Sequence, residues 1–152
     1  MALGSDDGTV EIFTNWKIDC TLKSFQKLIQ SLAWHPTDPH SLAAASNEFE
    51  IHLWTLDEEK MGGNNPIHTR PDQVLAGHKL RVIQLTWSPY DVTKLLSVSY
   101  DGTAQVWDVP SESGIGNVQL FANFIFSFCT LVGASKLFVY KQSSLCSFSQ
   151  KI

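Results

Sequence analysis

The chain has 152 residues, 43% of them apolar and 17% charged, enough for a packed core and too apolar for wholesale disorder. Eleven Lys and Arg stand against 15 Asp and Glu, a formal net charge of −4, which excludes a purely electrostatic grip on nucleic acid and leaves only a local basic patch for that role. Three scattered cysteines (Cys20, Cys129, Cys146) without CxxC spacing argue against a disulfide framework and for a reducing compartment.

The opening MALGSDDGTVEIF has neither the basic nor the apolar region of a secretory signal. It begins a repeat instead. LGSDDGTVEIFT (3–14), AAASNEFEIHLWT (43–55) and SVSYDGTAQVWDV (97–109) align on Asp7, Glu48 and Asp101, with spacings of 41 and 53 residues. SLAWHPTDP (31–39) and QLTWSPYDV (84–92) repeat independently at the same offset of 53, through Trp34 and Trp87. Each unit alternates with period two, as in GTAQVWDV, and so reads as strands. Asp7-Gly8 and Asp101-Gly102 are tight-turn dipeptides. Asp57-Glu58-Glu59-Lys60 reads as a solvated loop, and MGGNNPIHTRPD (61–72) as the loop that lengthens the second repeat. RVIQLTW (81–87) is a further strand, stopped by Ser88-Pro89.

Beyond residue 110 the composition changes. All five Trp, five His and six Pro lie in residues 1–110, whereas 111–152 hold six of nine Phe and four charges. Val118 to Ser135 is an uncharged run of 18 residues, the minimum for a membrane span, though diluted by Gln119, Asn123, Ser127, Thr130 and Ser135. Three readings stand open for this tail: unrelated sequence from an alternative 3′ end, a fourth strand with additional core, or a span. No membrane partner is expected unless 118–135 spans.

LAGHKLRVIQLTWSPYDVTKLLSVSYDGTAQVWDV (75–109) resembles a nearly complete WD repeat, with Gly77-His78, Trp-Ser-Pro, Ser-x-Ser-x-Asp-Gly and Trp107-Asp108. The resemblance implies an all-β fold of β-propeller blades, four strands to a blade. The expected division is a partial blade at 1–22, blades at 23–75 and 76–110, and a divergent tail at 111–152. Because propellers close with about four to eight blades, two and a half read as a piece of a longer protein or a truncated product.

The resemblance also carries a buried hydrogen-bonded tetrad onto His78, Ser97, Asp101 and Trp107. His, Ser and Asp together also match a hydrolase triad, but Trp107 completes the tetrad and no nucleophile elbow surrounds Ser97. The second repeat has Phe25, Ala44, Glu48 and Trp54 at these positions, and the first has Phe13 in place of Trp. Both are expected to rely on apolar packing.

LGSDDGTVEIF, KLIQSLAWHP, ASNEFEIHLW and SYDGTAQVWD, in that order, are similar over about residues 1–109 only to the WD-repeat gemins, the RNA-binding subunits of the survival-of-motor-neuron complex. That implies recognition of small nuclear RNA precursors through Sm site and cap, for Sm-core assembly, with other gemin subunits as partners and a cytoplasmic and nuclear location. The implied RNA contacts are Arg81 and Tyr100, with Lys79 a weaker third. Cap-binding positions fall outside the repeats present. The rival reading is a WD-repeat protein-interaction scaffold. No enzyme activity, cofactor or metal is expected: His35, His40, His52 and Cys20 fit no zinc spacing, with His35 at a surface strand end, and Gly114-Ile115-Gly116 lacks the setting of a phosphate loop.

Overall fold

The computed structural model describes residues 1–61, 64–109, 119–125, 138–141 and 144–147. The repeats become three four-stranded sheets. The first contains Ala2–Gly4 (β1), Thr9–Thr14 (β2) and Lys17–Lys23 (β3), joined antiparallel in that order. The second contains Ile29–Trp34 (β4), Ser41–Ser46 (β5), Glu50–Thr55 (β6) and Gln73–Ala76 (β8), the last reached through a helical turn, Glu58–Met61 (α1), and the short strand Ile67–His68 (β7). The third contains Val82–Trp87 (β9), Lys94–Ser99 (β10), Thr103–Asp108 (β11) and Gln119–Ile125 (β12). Phe138–Lys141 (β13) and Ser144–Ser147 (β14) pair as a separate hairpin. Four-stranded sheets packed face to face in succession are the blades of a β-propeller, an all-β architecture.

The core lies between blades, because each sheet has two faces to cover. Val10, Ile12, Cys20 and Leu22 of the first meet Leu42, Trp54 and Leu56 of the second. Ala43, Ala45, Ile51, Leu53 and Leu75 of the second meet Val82, Leu85, Trp87, Leu95 and Trp107 of the third. Strand β5 is buried on both faces, which explains its near-continuous apolar run. Trp54 and Trp107 each turn toward the preceding blade, and each fully buried aromatic contributes about 1.5–3 kcal/mol.

Polar links keep the blades in register. Val82 N–H donates to the Glu48 carbonyl at 3.4 Å and Ile29 N–H to the Ser5 carbonyl at 3.0 Å, donors 53 residues apart that play the same part between successive blades. Gly8 and Gly102, at φ +86° and +78°, make the turns at this end, where a Cβ would be strained.

Three expectations change. Residues 58–61 form a helical turn, in which Asp57 Oδ1 accepts the Lys60 N–H at 2.9 Å and Lys60 Nζ reaches Asp72 at 2.6 Å. The 61–72 segment does more than connect. Thr21 N–H donates to the Pro66 carbonyl at 2.9 Å, and β7 lies parallel to β3, so an insertion in the second repeat supplies the first sheet's fourth strand. His35 is buried: its ring meets Trp87 edge-on at 4.6 Å, Nδ1 accepts the Asp38 N–H at 3.0 Å, and Nε2 donates to the Val92 carbonyl at 2.9 Å. It is a rivet between blades.

For the apolar run, one of the three open readings is seen over part of its length. Its residues 119–125 are extended and antiparallel to β11, with Ala104 opposite Phe124, so this part is a fourth strand and not a helix. Among the described residues no helix is long and apolar enough to cross a membrane. The rest of 118–135, and Gly114-Ile115-Gly116, lie outside the described residues.

Candidate nucleic-acid interface

The Gly77-His78 connector and the Asp101-Gly102 turn meet at one end of the third blade. Gly77 has no room for a side chain: a Cβ there would stand 2.8 Å from Trp107 Cη2. His78 Nδ1–H donates to Asp101 Oδ2 at 3.0 Å, which fixes the tautomer. Nε2 then accepts the Ser97 hydroxyl at 2.7 Å, and Ser97 Oγ accepts Trp107 Nε1–H at 2.8 Å. All four predicted tetrad residues are thus brought together.

Burial sets the electrostatics. It holds His78 below its usual pKa, outweighing the Asp101 carboxylate that works the other way. Burial also pushes the Asp101 carboxyl up, but hydrogen bonds from the Thr103 hydroxyl, the Lys79 N–H and His78 outweigh it and hold the group at about 2. His78 is therefore neutral and Asp101 ionised at neutral pH. The chain Asp–His–Ser has the order of a hydrolytic triad, yet Ser97 is 0% exposed and its oxygen is committed to Trp107. No substrate carbonyl reaches it, so the arrangement acts as a strut.

The strut aims the residues above it. Asp101 Oδ2 accepts the Lys79 N–H at 2.9 Å, the Ser99 hydroxyl donates to the Leu80 carbonyl at 2.9 Å, and Tyr100 N–H donates to the Arg81 carbonyl at 3.1 Å. With both segments clamped, the Arg81 guanidinium sits 4.0 Å from the Tyr100 ring centroid, and both side chains are exposed. Arg81 itself precedes β9, and the Lys79 side chain is exposed in the same loop. Ser99, Thr103 and Gln105, whose Nε2 donates to the Gly77 carbonyl at 3.3 Å, were not singled out in the sequence. For Ser99 and Thr103 the signal was the Ser-x-Asp-Gly-Thr run. For Gln105, on a strand that alternates, there was none.

The second blade keeps the backbone half of this site. Glu48 Oε1 accepts the Gln26 N–H at 2.9 Å, the same contact 53 residues earlier. In place of the tetrad, Phe25 stacks on His52 at 3.9 Å and the Ser24 hydroxyl lies 2.7 Å from His52 Nδ1. Among the described residues no group of three or more His, Cys, Asp or Glu is placed to hold a metal ion.

Sheet, turn and strut together define a WD-repeat propeller module, and residues 69–108 match the family described as WD domain, G-beta repeat. The chain is 36% identical to Gem-associated protein 5 of Homo sapiens over 77% of its own length and 8% of that protein's. It is 35% identical to coronin-7 of Homo sapiens over 65% of its length and 10% of that protein's. In three dimensions it is similar to the WD40 domain of a Toxoplasma gondii coronin, with a TM-score of 0.69, 25% identity, and coverage of 82% of this chain and 32% of that one. The chain spans a tenth or less of the lengths of Gem-associated protein 5 and coronin-7.

Proposed function

We propose that this end of the third blade binds single-stranded RNA of the small nuclear RNA class, within a cytoplasmic and nuclear complex that assembles Sm cores and contains gemin-type subunits. One observation carries the reading: Arg81 and Tyr100, 19 positions apart in sequence, form an exposed cation–aromatic stack held from below by a buried strut. A base stacks on such a platform and the guanidinium edge forks to phosphate or base, while Lys79 adds charge. On a chain of net charge −4, binding then rests on this local geometry rather than on the overall field. The similarity to Gem-associated protein 5 supports the choice of RNA class.

A protein-interaction role for the same end is favoured by Phe49 and Leu80, exposed at 50% and 47% beside the basic residues. Filter-binding titration of a uridine-rich Sm-site RNA with wild type, Arg81→Ala and Tyr100→Ala separates the two. The RNA reading expects each variant to bind about 5- to 100-fold more weakly; equal affinity in all three overturns it.

A further inference from the structure

Equivalent positions on successive blades are not equally covered. Strands β4 and β9 are the first strands of the second and third blades, 53 residues apart. On β9, Val82, Leu85 and Trp87 are 0%, 5% and 8% exposed. Their counterparts on β4, Ile29, Leu32 and Trp34, are only partly buried. The side chains are nearly the same, so what differs is the neighbour. The preceding blade offers β9 the strand β4: Leu85 N–H donates to Ser31 Oγ at 3.0 Å, and Trp87 Nε1–H to the Ala33 carbonyl at 3.1 Å. The first blade offers β4 no such strand among the described residues, and Trp34 Nε1 has no hydrogen-bond partner among them.

The backbone beside this gap is open as well. Strand β1 lies at the edge of its sheet. Met1 and Phe13 exchange hydrogen bonds at 2.9 and 2.7 Å, Leu3 stands opposite Glu11, and Ser5 N–H donates to the Thr9 carbonyl at 2.8 Å. In an antiparallel ladder the alternate residues then turn their N–H and C=O groups to the other side, so those of Ala2 and Gly4 point away from β2. In the third sheet the equivalents of Ala2 and Gly4 are Leu96 and Val98, and they stand opposite Thr86 and Gln84 of β9. The edge of β1 is thus turned toward the place that a first strand fills in the other two blades.

We infer that the edge of β1 and the flank of β4 together accept an extended strand from another protein chain, by strand addition antiparallel to β1. The chemistry of the occupant follows from what β4 does for β9. It presents a Ser hydroxyl to the Leu32 N–H and, two residues on, a backbone carbonyl to the Trp34 indole. Its alternate residues are apolar, to complete the burial of Ile29, Leu32 and Trp34. That is the pattern of LIQSLAWHP (28–36). Main-chain hydrogen bonds to Ala2 and Gly4 supply affinity, and the hydroxyl and apolar positions supply selectivity. The surface belongs to the first two blades and is separate from the Arg81–Tyr100 stack.

The test titrates a dye-labelled synthetic peptide, LIQSLAWHP, against the whole chain and reads fluorescence anisotropy, with thermal melts in parallel. Saturable binding is expected, with a Kd in the range of about 1–100 μM. Ala2→Pro removes an N–H that gives nothing to β2, at the first residue of an edge strand where Pro is tolerated. It should melt as wild type does and bind the peptide about tenfold more weakly. Ser31→Ala in the peptide alone leaves the protein untouched and should weaken binding about three- to tenfold. A scrambled peptide of the same composition should not bind. Absence of binding, equal binding of the scrambled peptide, or binding that both substitutions leave unchanged overturns the inference. A chain that binds no peptide but forms a dimer that Ala2→Pro dissociates also overturns it, and assigns the edge to a second copy.

Discussion

Trp107 Nε1 donates to Ser97 Oγ at 2.8 Å, whereas Trp54 Nε1, 53 residues earlier and equally buried, has no partner among the described residues, because Ala44 stands where Ser97 stands. The same indole is thus satisfied in one blade and orphaned in the next. An unpartnered buried donor costs about 1–3 kcal/mol. The second blade tolerates this because Trp54 still buries its ring between sheets.

Ala44→Ser should therefore stabilise the chain by about 1 kcal/mol. The new hydroxyl can accept from Trp54 and donate to the His52 carbonyl, as Ser97 faces the Gln105 carbonyl at 3.4 Å. A urea titration reads this as a higher midpoint at unchanged slope. A lower midpoint would mean that the site has no room for the oxygen.

Removing the satisfied partners should cost more. Trp107→Ala leaves a cavity against Ala43, Leu53 and Leu75 and an idle Ser97, and should destabilise by about 3–5 kcal/mol. Ser97→Ala strands both the Trp107 N–H and the His78 nitrogen, for about 2–3 kcal/mol. Unchanged melting midpoints in both would show that the strut carries no load.

Acid should destabilise the third blade. The Asp101 carboxyl is held at about 2 against an ordinary 3.8, so the folded state resists its protonation. Its contribution is complete above about pH 5 and is lost as pH falls through 4 toward 2. His78 is also held below its ordinary 6.5 by burial, so its contribution is likewise present above that value and lost below it. Both act in the same direction. Asp101→Asn should flatten the fall of melting midpoint with pH over the acid range; an unaltered slope would remove Asp101 as its origin.

At the proposed RNA site the two partners should differ in character. Arg81→Ala should reduce the salt dependence of binding if the guanidinium meets phosphate, whereas Tyr100→Ala should leave that slope largely unchanged. Tyr100→Phe should be nearly silent, because the ring supplies the stack. Titrations at two salt concentrations read all three.

Deleting residues 111–152 should lower solubility, because it strips β12 from β11 and bares that strand's edge. Light scattering on the truncated chain checks this; improved solubility would show that β12 does not protect the edge.

The sequence by itself determined whatever is local or periodic. The offset of 53 residues located the blade elements, period-two alternation made them strands, and Gly77-His78, Asp101-Gly102 and Trp107-Asp108 marked one strut. The family resemblance singled out Arg81 and Tyr100, but tertiary structure decided that they stack, since their contact depends on the clamp through Asp101, Ser99 and Leu80. Tertiary structure also decided everything that crosses between blades. His35 looks like a surface residue until the next blade's Trp87 covers it, and residues 67–68 look like loop until β3 offers an unpaired edge. Residues 119–125 leave three readings open until β11 offers its edge. The physical reason is common to all three. A backbone edge or an apolar face specifies its need for a partner locally, but which segment meets that need depends on how the sheets pack.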